Sequence, residues 1–295
     1  MSSFLQSVID AVALGAVYGV VALAIGLVFG VMRLVNLAYG ELITAGAYTL
    51  GYLSGQPAIV AILACLGVCC GLALLQELAF RPLRGSSPAT MLVASFGVSY
   101  LLQNVYFLAF GSRGKASGAL GGLNTTFSIG SLDVRWISIV ALVTGGVLLG
   151  ITALLLERTM LGIQIRAAAA DFRTARLLGV RANRVIALSF LYSGMLAAAV
   201  AVLLTVQSPL ATPDFGVQVT IFALVGVVVG GLDRLWTATL GGFGIGFATS
   251  LVGSELPSAN SVYLPSFIYG IVILVLLLRP GGLFAGPRGT LAERV

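Results

Sequence analysis

Residues 30–41 read GVMRLVNLAYGE, and they interrupt a chain that is apolar on both sides. Residues 20–29 have the character of an oily helix, and the chain is oily again from Leu42. Between them come Arg33, Asn36, Tyr39, Gly40 and Glu41. In hydrocarbon an unpaired polar atom costs on the order of several kcal/mol. A break of this kind is tolerated only where protein encloses it or where it lines a water path.

The flanks explain why hydrocarbon is the right solvent to consider. Of 295 residues, 59% are hydrophobic and 9% charged, against roughly 25% charged in a soluble domain. Long neutral windows cover 11–32, 42–76, 85–112, 136–156, 185–213, 215–232, 235–254 and 256–278. All are about 18 residues or longer, enough to cross roughly 30 Å of hydrocarbon as helix. The second window contains Gly55-Gln56-Pro57, a turn signal that divides it into two passes. The expectation is an all-α polytopic membrane protein with about nine crossings, the one after the break being short. It is read as a single domain over residues 1–295. No Lys or Arg precedes the first apolar stretch, so no signal peptide is expected.

Cys65, Cys69 and Cys70 share one span, where helical geometry suits neither a disulfide nor a metal site, and they read as small hydrophobes. No cofactor is implied. The net charge of +6 suggests nucleic acid only until the arginines are placed. Arg81 and Arg84 follow the third pass; Arg158, Arg166, Arg173, Arg176, Arg181 and Arg184 cluster in one loop; Arg279, Arg288 and Arg294 close the chain. By the positive-inside rule these regions are cytoplasmic. The N-terminus and residues 111–135 and 207–214 then fall outside. Arg113, Lys115 and Arg135 in the outer loop run against the rule. The positive charge is thus topological, and no nucleic acid partner is expected.

Two loops carry designs of their own. Residues 111–122 are expected to be flexible; 126–129 and 132–136 alternate around Gly130-Ser131, the pattern of a small β-hairpin. It is either a landing surface for an outer partner or a lid on the helix ends. Residues 157–184 place Leu161, Ile165, Ala168, Phe172 and Ala175 at three- and four-residue steps, an amphipathic helix. Arg166, Arg173 and Arg176 fall within an arc of about 80° at 100° per residue. Gly179 reads as the stop and Asn183 as the cap of the next span. Such a helix either docks a cytoplasmic partner or lies on anionic lipid.

Glycine pairs at four-residue spacing recur within spans, at 15/19, 26/30, 67/71, 146/150, 226/230 and 242/246; small faces let helices approach closely in lipid. Neither Gly241–Gly246 nor Gly114-Lys115 completes a nucleotide-binding glycine motif, so no ATP site is expected in this chain.

The run IGLVFGVMRLVNLAYGELITAGAY, with ASFGVSYLLQN at 94–104, RAAAADFRTARLLGV at 166–180 and LRPGGLF at 278–284, resembles the LivH-type permeases. These are membrane subunits of bacterial ABC importers for branched-chain amino acids, and the likeness spans nearly the whole chain. It implies a LivM-like second permease, two cytoplasmic P-loop ATPases, a periplasmic binding protein and the bacterial inner membrane. It also implies that Arg166, Ala170, Asp171, Arg173, Arg176 and Gly179 belong to an ATPase-coupling element. The sequence departs from the family's common N-F-A-H-G-E pattern at Leu37 and Tyr39. Tyrosine keeps a hydrogen-bonding tip but does not titrate near neutrality.

On this reading Asn36, Tyr39, Gly40 and Glu41 line or shape a translocation path. The plainer alternative is that Glu41 caps its helix and pairs with Arg33. Ser95, Ser99, Gln103 and Asn104 are candidates for a polar stripe facing the path or a neighbouring helix; Gln218 and Thr220 are weaker candidates. The expected function is import of branched-chain or other hydrophobic amino acids, with ATP hydrolysed on partner subunits and no chemistry on the solute. Urea, amides or another small solute is the alternative cargo. A secondary transporter is disfavoured because, of ten carboxylates, only Glu41 lies near a membrane interior and histidine is absent. An intramembrane enzyme lacks a nucleophile–base pair or metal cluster.

Overall fold

The computed structural model describes residues 2–32, 35–84, 86–118, 121–129, 132–170, 172–231, 234–279 and 282–283. Arg33, Gly130-Ser131, Asp171, Arg288 and Arg294, which figure in the expectations above, lie outside the described residues. The elements in order are α1 (Ser2–Met32), α2 (Tyr39–Tyr52), α3 (Ala58–Phe80), α4 (Pro88–Phe110), β1 (Lys115–Ala116), β2 (Thr126–Ile129), β3 (Leu132–Arg135) and α5 (Trp136–Arg158). Then follow α6 (Met160–Ala170), α7 (Phe172–Leu177), α8 (Ala182–Gln207), β4 (Leu210–Ala211), α9 (Phe215–Gly230), α10 (Leu235–Glu255) and α11 (Leu264–Leu278).

Among the described residues seven helical spans are long and apolar enough to cross a membrane, the last running Asn260–Leu278 with the 3₁₀ turn that leads into α11. Two further helices are short: α9 has 16 residues and α2 has 14. At 1.5 Å per residue α2 extends about 21 Å, less than a hydrocarbon core. By length alone the described residues give seven membrane-length spans and the two shorter helices α2 and α9, α2 being short as expected.

The turn at Gly55-Gln56-Pro57 separates α2 from α3 as expected. Ser87 caps α4, its Oγ accepting from the Thr90 N–H at 3.2 Å, with Pro88 opening the helix. At the centre stands α1, packed against α5, α8, α9 and α10. Small residues make that packing close: a Cβ at Gly242 would sit 2.3 Å from the Ala22 Cβ, and one at Gly226 2.6 Å from the Gly242 Cα. Gly67, Gly71, Gly146 and Gly150, by contrast, have nothing within 4 Å of such a Cβ. Those two pairs face outward from the chain.

The two ends of α1 fix which loops share a side. Near its start, Asp10 accepts from Arg135 at 3.2 Å and from Ser138 at 3.3 Å, which joins it to the end of the 111–135 loop. Near its finish, Leu27, Val28 and Val31 share a core with Ile165, Ala168 and Phe190. Two of the three basic residues that run against the charge rule are engaged: Arg135 by Asp10, and Lys115 by the Tyr52 ring at 4.8 Å.

The hairpin forms as the alternation predicts, β2 against β3, with Thr126 opposite Arg135 and Ile129 opposite Leu132. The stretch before it is more ordered than expected. Lys115 and Ala116 pair with Ala211 and Leu210, the Ser117 N–H donates to the Pro209 carbonyl at 2.8 Å, and Gly121–Asn124 makes a 3₁₀ turn. A glycine-rich composition predicts looseness; backbone pairing with a distant loop overrides it.

The amphipathic segment also forms, as two helices, α6 and α7, rather than one. Ile165, Ala168 and Ala175 are buried as the periodicity requires. Gly179 is the stop: its φ is +87°, and the Val180 N–H reaches back to the Ala175 carbonyl at 3.0 Å, a Schellman-type ending. Asn183 is not the cap of α8. Arg181 holds that position, and the Asn183 Oδ1 instead accepts from Arg84 at 2.6 Å.

Candidate functional site

The break after α1 is tied down by side chains from two neighbouring helices. Asn36 is buried; its Oδ1 accepts from the Ala38 N–H at 3.1 Å, and its amide donates to the Gln76 Oε1 at 3.2 Å. Gln76, on α3, donates in turn to the Ala38 carbonyl at 2.7 Å. From α4, the Ser95 hydroxyl donates to the Val35 carbonyl at 3.1 Å and lies 3.4 Å from the Leu37 N–H. Backbone groups of Val35, Leu37 and Ala38 are thus satisfied inside the protein, the condition that hydrocarbon imposes.

Glu41 is fully buried in the first turn of α2, yet it caps nothing. Its Oε1 accepts from Ser99 at 2.7 Å and Gln103 at 3.1 Å, both on α4. Its backbone carbonyl accepts from Tyr106 at 3.0 Å. The Oε2 has no partner, and neither do the buried hydroxyls of Tyr39, Tyr48 and Thr220. All of these groups lie on α2 or against it. The alternative ion pair with Arg33 falls outside the described residues.

Ser95, Ser99 and Gln103 therefore make one seam on α2, as their four-residue spacing predicts. Asn104 does not join it: it is exposed and donates to the Tyr100 carbonyl of its own helix at 2.7 Å. Only Met91, Ser95, Ser99 and Tyr106 of the 23 residues in α4 are buried, so this seam is most of what α4 offers the rest of the chain.

On the far side of α2, Gly40 meets α9. A Cβ on Gly216 would lie 2.0 Å from the Gly40 carbonyl oxygen, and one on Gly40 2.8 Å from the Thr220 Oγ1. The Thr44 hydroxyl bridges the crossing, donating to Gly40 at 3.2 Å and accepting from the Gly216 N–H at 2.9 Å. Gln218 is exposed. Cys65 and Cys69 pack α3 against α2 and α8 as free thiols.

Spacing pointed to Ser95, Ser99 and Gln103, but three partners were missed: Gln76, Thr44 and Tyr106. Gln76 has no polar neighbour at helical spacing to draw notice, but Thr44, three residues after Glu41, and Tyr106, three after Gln103, continue polar faces that spacing could have extended. Also missed was the ion pair of Glu77 with Arg84. Burial pulls the Arg84 guanidinium below its ordinary pKa while the adjoining carboxylate pulls it back; it stays charged throughout. In the 157–184 segment, Arg166 is exposed and donates to the Leu156 carbonyl at the end of α5. The side chains of Ala170, Arg173 and Arg176 lie outside the described set.

A small cavity of about 90 Å³ sits between α2, the outer loop and α8, lined by Leu50, Ser117, Asn124, Thr205 and Pro209 among others. It lies at the opposite end of α2 from the break.

A bundle of membrane-length helices around a buried polar seam is the architecture of a polytopic membrane protein. Residues 7–277 match the family described as branched-chain amino acid transport system, permease component, and the chain belongs to that family. It is 32% identical to the high-affinity branched-chain amino acid transport system permease protein BraD of Pseudomonas aeruginosa, over 96% of each chain. It is 29% identical to the corresponding LivH of Escherichia coli K12, again over 96% of each. A shorter likeness, 30% over 65% of this chain and 55% of the other, is to the autoinducer 2 import system permease protein LsrC of Klebsiella pneumoniae.

Proposed function

We propose that the chain is the permease subunit of an ATP-driven importer in a bacterial inner membrane, carrying branched-chain or other hydrophobic amino acids. Full-length similarity to BraD and LivH supports the solute class. The observation that carries the path is the seam joining Asn36 and Glu41 to Gln76, Ser95, Ser99 and Gln103, the polar groups around a broken segment in an otherwise oily bundle.

On this reading Asn36, Tyr39, Glu41, Ser95, Ser99 and Gln103 line the path when α4 parts from α2, while Gly40 shapes it from the α9 side; in the arrangement described here Glu41 closes on Ser99 and Gln103, and the backbone of the break closes on Ser95. A zwitterion with an apolar side chain needs few hydrogen-bonding groups and little net charge, which suits amides and hydroxyls around a single carboxylate. Asn104 joins the path only from the exposed flank of α4. Nothing is done chemically to the solute; the chain is a conduit, and hydrolysis belongs to two P-loop ATPases on the cytoplasmic side. A periplasmic binding protein delivers the solute, and a LivM-like permease completes the conduit. The 157–184 segment, with Arg166, Ala170, Asp171, Arg173, Arg176 and Gly179, receives the ATPase stroke. With α2 and α9 counted as short crossings the passes number nine, which puts the N-terminus outside and the C-terminus in the cytoplasm, in one permease domain.

The test is uptake by the assembled importer in proteoliposomes. Leucine accumulation that requires ATP and the binding protein, and survives collapse of the proton gradient, supports the reading; accumulation without ATP overturns it. A second reading, another small solute, is favoured by the likeness to LsrC. It is distinguished by the solute that the binding protein retains.

A further inference from the structure

The described structure holds a further polar connection, buried at Glu77 and exposed at Asn183, and it lies between the proposed coupling segment and the break. We propose that Asn183, Arg84 and Glu77 form a positioning link through which movement of the 157–184 segment reaches Gln76, and through Gln76 the broken entry to α2. This rests on the permease reading above.

The geometry runs as a chain of contacts. Asn183 stands in the first turn of α8, directly after the coupling segment, and its Oδ1 accepts from the Arg84 guanidinium at 2.6 Å. The other face of that guanidinium is paired with the Glu77 carboxylate. Glu77 adjoins Gln76 on α3, and Gln76 grips both Asn36 and the Ala38 carbonyl. Successive residues on one helix move as a rigid unit, so a displacement of Glu77 is a displacement of Gln76.

The start of α8 is bound to the coupling segment as well. Val185, Ile186 and Phe190 share a core with Ile165 and Ala168 of α6, and that core also takes in Phe80 at the end of α3. The Phe80 and Phe190 rings lie 6.2 Å apart. Apolar contact thus runs beside the polar link, between the same two helices.

The pair itself is unusual for a loop at a membrane rim. The side chains of Arg84 and Glu77 are only 13% and 8% exposed. A buried ion pair adds little net stability over apolar replacements, while losing one partner is costly. Its value is directional: it holds the Arg84 guanidinium where the Asn183 Oδ1 meets it, and that hydrogen bond fixes the start of α8 against the end of α3.

The measurement uses the importer assembled with its ATPases and binding protein in proteoliposomes, recording leucine uptake and phosphate release together. Wild type sets the ratio of solute moved to ATP hydrolysed. Glu77→Gln and Arg84→Gln should each lower that ratio at least tenfold while hydrolysis stays within twofold of wild type. The double variant should be no worse than either single, as for residues acting as a unit. Arg84→Lys, which keeps the charge, should recover part of the loss. Asn183→Ala leaves the ion pair intact and should lower the ratio in the same direction. An unchanged ratio in Asn183→Ala or in both single variants overturns the link. So does uptake that falls only in step with hydrolysis or with the amount of importer assembled, since that is a structural role. Wild type that moves no leucine under ATP overturns the permease reading itself, and the link with it.

Discussion

At the scale of single residues, Glu41 carries the most specific expectation. Its Oε1 is the acceptor for both Ser99 and Gln103. Glu41→Gln keeps an oxygen there, so thermal unfolding in detergent should stay close to wild type. Glu41→Leu leaves the buried Ser99 hydroxyl without this acceptor, at about 1–3 kcal/mol, while the Gln103 amide keeps only the Ser99 Oγ at 3.1 Å, and should lower the unfolding temperature clearly. Equal stability of the two variants would show that the seam holds nothing together. Gly216→Ala is the companion test. Its Cβ would fall 2.0 Å from the Gly40 carbonyl oxygen, forcing backbones apart at about 1–3 kcal/mol for overpacking, and the same unfolding assay reads it. Residue reading from sequence worked where polar groups repeat at helical spacing, as Ser95, Ser99 and Gln103 do. It failed at Asn104, because five residues past Ser99 turn the side chain about 140° away. It also failed at Gln76, whose importance comes from partners on other helices that no local pattern encodes.

At the scale of elements, periodicity reports that a face exists without naming what covers it. The glycine pairs illustrate this. The residues at 226 and 242 bring backbones into contact within the chain, while those at 67, 71, 146 and 150 face open space, although all share one spacing. Gly71→Ala should therefore shift the stability of the isolated chain by no more than about 0.5 kcal/mol, whereas Gly242→Ala, 2.3 Å from the Ala22 Cβ, should destabilise it strongly. Comparable losses in both would place an unseen contact on α3. The same limit explains the loop at 111–122. Its composition predicted slackness, and its pairing with Leu210 and Ala211 depends on a segment almost a hundred residues away. The hairpin that follows is local, and its alternation sufficed. The 157–184 segment was legible for a related reason: burial of Ile165, Ala168 and Ala175 follows from spacing alone. Gly179→Ala, at φ +87°, should cost about 1–2 kcal/mol and loosen that ending, read as faster protease cleavage near Leu177 and Leu178, both exposed.

At the scale of the whole molecule, composition fixed the solvent and charge placement suggested the sides. The ends of α1 give those sides a structural counterpart. Asp10 meets Arg135 at one end, and Val31 meets the core of the coupling segment at the other. The shortness of α2 was legible from the break that precedes it, whereas that of α9 was not, because a neutral window records apolar length and not where a helix ends within it. The central claim is that solute passes where α4 seals against α2. The most direct test places a cysteine at Ser99 in a chain whose Cys65, Cys69 and Cys70 are alanine, within the assembled importer. Its reaction with a water-soluble thiol reagent is then followed in proteoliposomes. The account predicts slow labelling at rest, faster labelling when ATP and the binding protein drive turnover, and protection by transported solute. Labelling that stays at the resting rate while leucine is being accumulated would contradict it.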